Sequence, residues 1–95
     1  MLSVRIHKTY RDVIAICDSN LLGKKFEQEN LQLDMKESFY KGEEKNEQEV
    51  LELFKISPII NLVGKKSINL ALKAKIIGKK HIIKIKNIPH AEALL

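Results

Sequence analysis

Near the start of the chain Val4 and Ile6 alternate with Arg5 and His7, the period-two pattern of a short strand with one buried face. The segment Lys8 to Asp12 is polar and turns. The apolar run Val13-Ile14-Ala15-Ile16-Cys17 reads as a second, more deeply buried strand, so the two are predicted to pair as a hairpin. Asp18, Ser19 and Asn20 offer capping side chains ahead of Leu21-Leu22-Gly23-Lys24-Lys25-Phe26, a short predicted helix weakened by its glycine. Leu31, Leu33, Met35, Glu37 and Phe39 recur at period two. That predicts a strand ending near Tyr40, with a turn over Lys41-Gly42-Glu43-Glu44.

The second half changes period. Asn46 with Glu49 three residues later is the pattern of a capping box, and acids crowd the first turn, where the helix dipole favours them. Val50, Leu51, Leu53 and Phe54 supply the buried stripe, and Pro58 ends the helix. Ile59 to Val63 is a short apolar strand. Gly64 opens a second predicted helix, with Ile68, Ala71, Leu72 and Ile76 on one face and Gly78 as its C-terminal cap. In His81-Ile82-Ile83-Lys84-Ile85-Lys86, Ile83 and Ile85 are expected to face the core and the lysines to face water. Asn87-Ile88-Pro89-His90 then turns away into a tail. No repeat, linker or low-complexity tract interrupts the chain. The reading is a single α+β domain over 1–95: a small mixed sheet, made of the N-terminal hairpin plus further strands, packed with two main helices.

A chain of 95 residues buries only about two-thirds of its unfolded surface, which leaves little room for a deep cleft. Tyr10, Phe26, Phe39, Tyr40 and Phe54 are its aromatics, so the core is aliphatic. The single cysteine, Cys17, excludes an internal disulfide and a multi-thiolate zinc site, and its apolar neighbours make it a small buried hydrophobe. Met1-Leu2-Ser3-Val4-Arg5 lacks the apolar core of a signal peptide. No apolar run approaches the roughly 20 residues of a membrane span, so a cytoplasmic protein without a membrane role is expected.

Charge changes the picture most. The net charge is +5, but residues 1–52 balance at −3 and residues 53–95 at +8, and no acid lies between Glu52 and Glu92. Solubility alone normally mixes the signs. Lys65 and Lys66 fall in the first turn of a predicted helix, where a cation is disfavoured by about 0.3–1 kcal/mol. Free helix-start N–H groups beside them form a candidate phosphate site. Lys73, Lys75, Lys79, Lys80, Lys84 and Lys86 extend the patch if the helix and the last strand are neighbours. A solvated basic face in a lysine-rich composition is the plainer alternative. Base stacking requires exposed aromatics, and Tyr10, Phe39 and Tyr40 are the candidates, Tyr40 foremost. With so few, the patch reads as one that meets phosphate backbone or RNA shape rather than sequence.

Other chemistry is thinly marked. His7, His81 and His90 have no helical spacing and no carboxylate at metal-ligand spacing, so no metal or cofactor is expected. Gly64-Lys65-Lys66-Ser67 lacks the upstream glycine of a phosphate loop and misplaces its lysine. A small enzyme built on His7, Glu37, Tyr40 and His90 is the alternative function; a protein-interaction module that pairs its acidic helix with its basic face is another.

Val4-Arg5-Ile6-His7, Lys36-Glu37-Ser38-Phe39-Tyr40-Lys41-Gly42-Glu43, Asn61-Leu62-Val63-Gly64 and Ile88-Pro89-His90-Ala91 together resemble the archaeal Domain of Unknown Function 424 family, in order and over nearly the whole chain. The resemblance implies a small α+β domain from an archaeal cytoplasm, without an established activity, and points toward translation. Joined to the charge pattern, it gives the working expectation: a non-catalytic, ribosome-associated protein. It would meet ribosomal RNA, with ribosomal proteins nearby, through Lys65, Lys66, Lys73, Lys79, Lys80, Lys84, Lys86 and Tyr40.

Overall fold

The apolar runs gather into one mixed six-stranded sheet in the order β5-β1-β2-β6-β8-β7, seen in a computed structural model that describes residues 1–95. Its strands are β1 (Leu2–His7), β2 (Val13–Asp18), β5 (Glu43–Lys45), β6 (Ile59–Val63), β7 (Ile83–Ile85) and β8 (Ile88–Leu94). A separate two-stranded ribbon pairs β3 (Lys25–Gln28) with β4 (Leu31–Asp34). The helices are α1 (Glu37–Tyr40), α2 (Glu47–Phe54) and α3 (Lys65–Lys73). β1 and β2 pair antiparallel as the predicted hairpin, β2 and β6 run parallel, and β8 lies antiparallel between β6 and β7.

Alternation along the strands splits the core into two layers. Val4, Ile14, Ile16, Ile60, Leu62, Ala91 and Ala93 face one way and pack with Val50 and Phe54 of α2 and Ile68, Leu70 and Ala71 of α3. Ala15, Cys17 and Val63 face the other way and are covered by Leu33 and Met35 of the ribbon segment and Tyr40 of α1. The aliphatic core is as expected. α2 begins with the predicted box: Asn46 Oδ1 accepts from the Glu49 N–H at 2.9 Å, and the Asn46 N–H donates to Glu49 Oε1 at 3.0 Å.

Six local expectations give way. Leu21–Phe26 is not a helix: Ser19–Leu21 makes one 3-10 turn, Gly23 takes a φ of +79°, and Lys25 onward pairs in the ribbon. The period-two run from Leu31 breaks after Asp34, and Glu37–Tyr40 coil into a single helical turn. The expected turn at Glu43 and Glu44 instead runs on as the edge strand β5 beside Leu2–Val4. Gly42 makes that edge reachable, since a Cβ there would lie 1.9 Å from the Val4 carbonyl oxygen.

α3 stops at Lys73, short of Gly78. Lys75 adopts a φ of +61°, and the Lys75 and Ile76 N–H groups bond back to the Leu72 and Ala71 carbonyls, a Schellman close made without glycine. The segment from Ile88, expected to turn away into a tail, is an interior strand. Lys86 and Asn87, both at positive φ, form the two-residue loop that returns it beside β7. Within β7, Ile85 is buried as expected, but Ile83 sits on the sheet edge and is exposed.

Candidate nucleic-acid interface

Asp18 ends β2 on the helix-covered side and points at the start of α3. Its Oδ2 accepts from the Lys66 N–H at 3.0 Å, and its Oδ1 accepts from the Ser67 N–H and the Ser67 hydroxyl, each at 2.9 Å. Gly64, with a φ of +109°, brings the chain so close that a Cβ would lie 2.3 Å from the carboxylate carbon. Its N–H donates to the Pro89 carbonyl at 2.9 Å. The expected free helix-start N–H groups are thus taken by an internal anion, and the backbone part of the phosphate-site expectation fails. The carboxylate also offsets the dipole's penalty on Lys65 and Lys66. The side-chain ammonium groups remain.

Those groups divide by position. Lys65, Lys79 and Lys84 line one open groove of about 760 Å³, together with Ile68, Asn69, Leu72, Ile82, Asn87 and Pro89. α3 forms one wall, because Lys65, Ile68, Asn69 and Leu72 fall on one helical face. The 3-10 turn Lys79–His81, β7 and the Lys86–Asn87 turn form the other. Lys66 points elsewhere, into a hollow of about 280 Å³ lined also by Met1, Leu2, Lys45, Asn46 and Glu47. Lys73, Lys80 and Lys86 are exposed but outside the groove, and the Lys86 backbone N–H donates to Gln28 Oε1 of the ribbon. The basic surface therefore has a focus of three lysines and a periphery, rather than one even face.

The four ion pairs of the molecule, Lys8–Asp12, Lys25–Glu27, Lys45–Glu43 and Lys55–Glu52, all lie before residue 56. None of the eight lysines from Lys65 to Lys86 has a carboxylate within 4.0 Å, and the glutamate-rich α2 does not neutralise them. Tyr40 is a correction. It is buried, its hydroxyl donates to Asn61 Oδ1 at 2.9 Å, and burial with the neighbouring Cys17 pushes its pKa up to about 12, so its ring is closed to a base. Tyr10, at the tip of the β1–β2 hairpin, is the fully exposed aromatic.

The residues of the alternative enzyme do not converge. His7 stacks on Phe39 with ring centroids 4.4 Å apart and bonds the Phe39 carbonyl through Nε2 at 2.8 Å. His90 is on β8, three strand spacings or about 14 Å from β1. It is half-buried, its Nε2 has no partner, and burial pushes its pKa down against the opposing pull of Glu92. Glu37 lies beside Gly23, and Tyr40 is engaged with Asn61. Cys17 is fully buried, and burial, then the charges of Asp18 and Glu44, push its thiol up to about 12, the inert state expected of it. No group of three or more His, Cys, Asp or Glu is arranged to hold a metal ion. No helix is long and apolar enough to cross a membrane.

The profile of a family described as "Protein of unknown function (DUF424)" matches residues 6–94. The chain belongs to the DUF424 family. A solved structure, described as "Crystal structure of an uncharacterized conserved protein from Methanopyrus kandleri", shares the fold of this DUF424 chain with a TM-score of 0.78 at 23% identity. The match covers 96% of this chain and 88% of the other. No curated protein matches. The four segments that carried the family resemblance are close-set in this DUF424 fold: Asn61 of the third holds Tyr40 of the second, and Gly64 of the third bonds Pro89 of the fourth.

Sequence reasoning missed Asp18, Asn69 and Asn87. Asp18 looked like a local cap for the residues following it, and nothing in its spacing announces a helix 47 residues later. Asn69 had a legible signal, since it lies one helical turn from Lys65 on the same face. Asn87 was read as the start of a turn into a tail, not as part of the loop that returns β8 beside β7.

Proposed function

We propose that this protein is a non-catalytic RNA-binding accessory factor that holds the phosphate backbone at the Lys65, Lys79 and Lys84 groove. One observation carries the reading: three lysines from three separate elements meet at one groove, and none has a carboxylate partner. A fold that leaves these charges unpaired keeps them for an external anion. Neutralising RNA phosphates releases counterions, so the interaction is salt-sensitive and largely indifferent to sequence. The peripheral Lys66, Lys73, Lys80 and Lys86 add long-range attraction. Ribosomal RNA, with ribosomal proteins as neighbours, is the proposed partner, because a backbone reader needs no particular sequence and the ribosome offers a broad phosphate surface in the cell.

The test is sedimentation with ribosomes on a sucrose gradient at near-physiological salt. The protein is expected in ribosomal fractions, and the variant K65E/K79E/K84E at the top of the gradient. If both forms remain at the top, the ribosomal assignment fails.

A further inference from the structure

The groove has more than charge. Its lining combines Lys65, Lys79 and Lys84 with the apolar Ile68, Leu72, Ile82 and Pro89 and with two carboxamides, Asn69 and Asn87. Ammonium groups alone suit any phosphate. Aliphatic side chains and two amides in the same groove suit something flatter and less polar that is attached to a phosphate. We infer that the groove takes an unpaired nucleotide: phosphate on the lysines, base face on Leu72 and Ile82, base edge or ribose hydroxyl on the asparagine amides. A carboxamide both donates and accepts, as base edges require. A duplex buries its base faces in its own stack and cannot offer one to the aliphatic side chains. Single strands and loops splay bases outward. The backbones that carry both amides belong to defined elements, Asn69 on α3 and Asn87 in a turn with a φ of +65°.

This inference rests on the proposed RNA reading and narrows it. Nucleotide chemistry reaches a groove from a strand or from a free monophosphate, and we assign it to a strand because the exposed Lys66, Lys80 and Lys86, next or near in the chain to the lining lysines, extend the positive charge beyond the groove.

The test measures fluorescence anisotropy with a labelled oligouridylate or oligoadenylate, a blunt RNA duplex of the same length, and unlabelled AMP as competitor. The single strands are expected to bind about tenfold more tightly than the duplex. N69A/N87A removes two exposed amides, lowers the melting temperature only by the strain of an alanine at the positive φ of residue 87, and is expected to weaken single-strand binding about tenfold and leave the duplex alone. Equal or tighter duplex binding overturns the inference. So does an unaltered N69A/N87A in a protein that K65E/K79E/K84E disables, and in both cases the backbone-binding reading survives. Competition by AMP at oligonucleotide-like concentrations overturns the assignment to a strand. Binding to none of the probes sinks both readings together.

Discussion

The carboxylate of Asp18 and the backbone of Ser67 are bonded at 2.9 Å across 49 residues of chain, and that contact seats the first turn of α3 against the end of β2. Lys65 and Asn69 are presented to the groove from that turn and the next. The capping carboxylate also occupies the helix terminus, so in the proposed reading anion binding falls to the lysine side chains.

Replacing Asp18 with Ala strands the Lys66 and Ser67 N–H groups and the Ser67 hydroxyl in a buried place. The combined loss of a cap and of hydrogen bonds is expected to destabilise the protein by about 2–4 kcal/mol in urea denaturation. D18N, which keeps one acceptor, is expected to lose less than D18A.

Gly64→Ala meets the same contact from the other side. The Cβ would lie 2.3 Å from the Asp18 carboxylate carbon, at a φ of +109° that disfavours any side chain. A loss exceeding the roughly 1 kcal/mol of an ordinary helix substitution is expected. A melting temperature equal to that of the parent would contradict the close approach.

Stability is expected to fall at both ends of the pH scale. His90 has its folded pKa below its ordinary value of 6.5, so its contribution is complete above about 6.5 and is lost as pH falls through the folded value. Cys17 and Tyr40 have folded pKa values raised to about 12, from ordinary values of 9.0 and 10.0. Their contributions are complete below those ordinary values and drain away as pH rises toward 12. Melting temperatures across pH check this: H90Q should flatten the acid limb, and C17A should soften the alkaline one.

Cys17 is expected to resist a disulfide reagent at pH 8 in the native protein and to react on addition of denaturant. Rapid labelling without denaturant would show that the layer of Leu33, Met35 and Tyr40 opens easily.

Among the lysines, position rather than number is expected to decide binding. K66E, which alters the hollow shared with Glu47, should weaken RNA affinity far less than K79E or K84E, in filter binding at fixed salt.

The long-period features were legible in the sequence. The Asn46–Glu49 box, the hairpin of β1 and β2, the burial of Cys17 and the apolar faces of α2 and α3 rest on local patterns that the fold keeps. The misreadings occur where tertiary contacts override local propensity. Glu29, Lys75, Lys86 and Asn87 take positive φ without being glycine, so no glycine marked the ribbon turn, the end of α3 or the return of the chain from β7 into β8. Pro89 argued against a strand, yet its missing N–H is harmless, because its carbonyl is the group used, accepting from Gly64. For the proposed site, charge pointed to the half of the chain that supplies the groove's three lysines. It could not tell that Lys65, Lys79 and Lys84 converge while Lys66 does not, because that division depends on the chain folding back at Lys86–Asn87 rather than leaving as a tail.

The most direct measurement of the central claim is the salt dependence of RNA affinity for the parent protein and for K65E/K79E/K84E. Three phosphate contacts on a single strand predict a slope of log K against log salt of about −2 or steeper. The variant should bind too weakly to yield a slope. A parent slope near zero, or a variant with the parent's slope and affinity, would contradict the groove as the place where RNA is held.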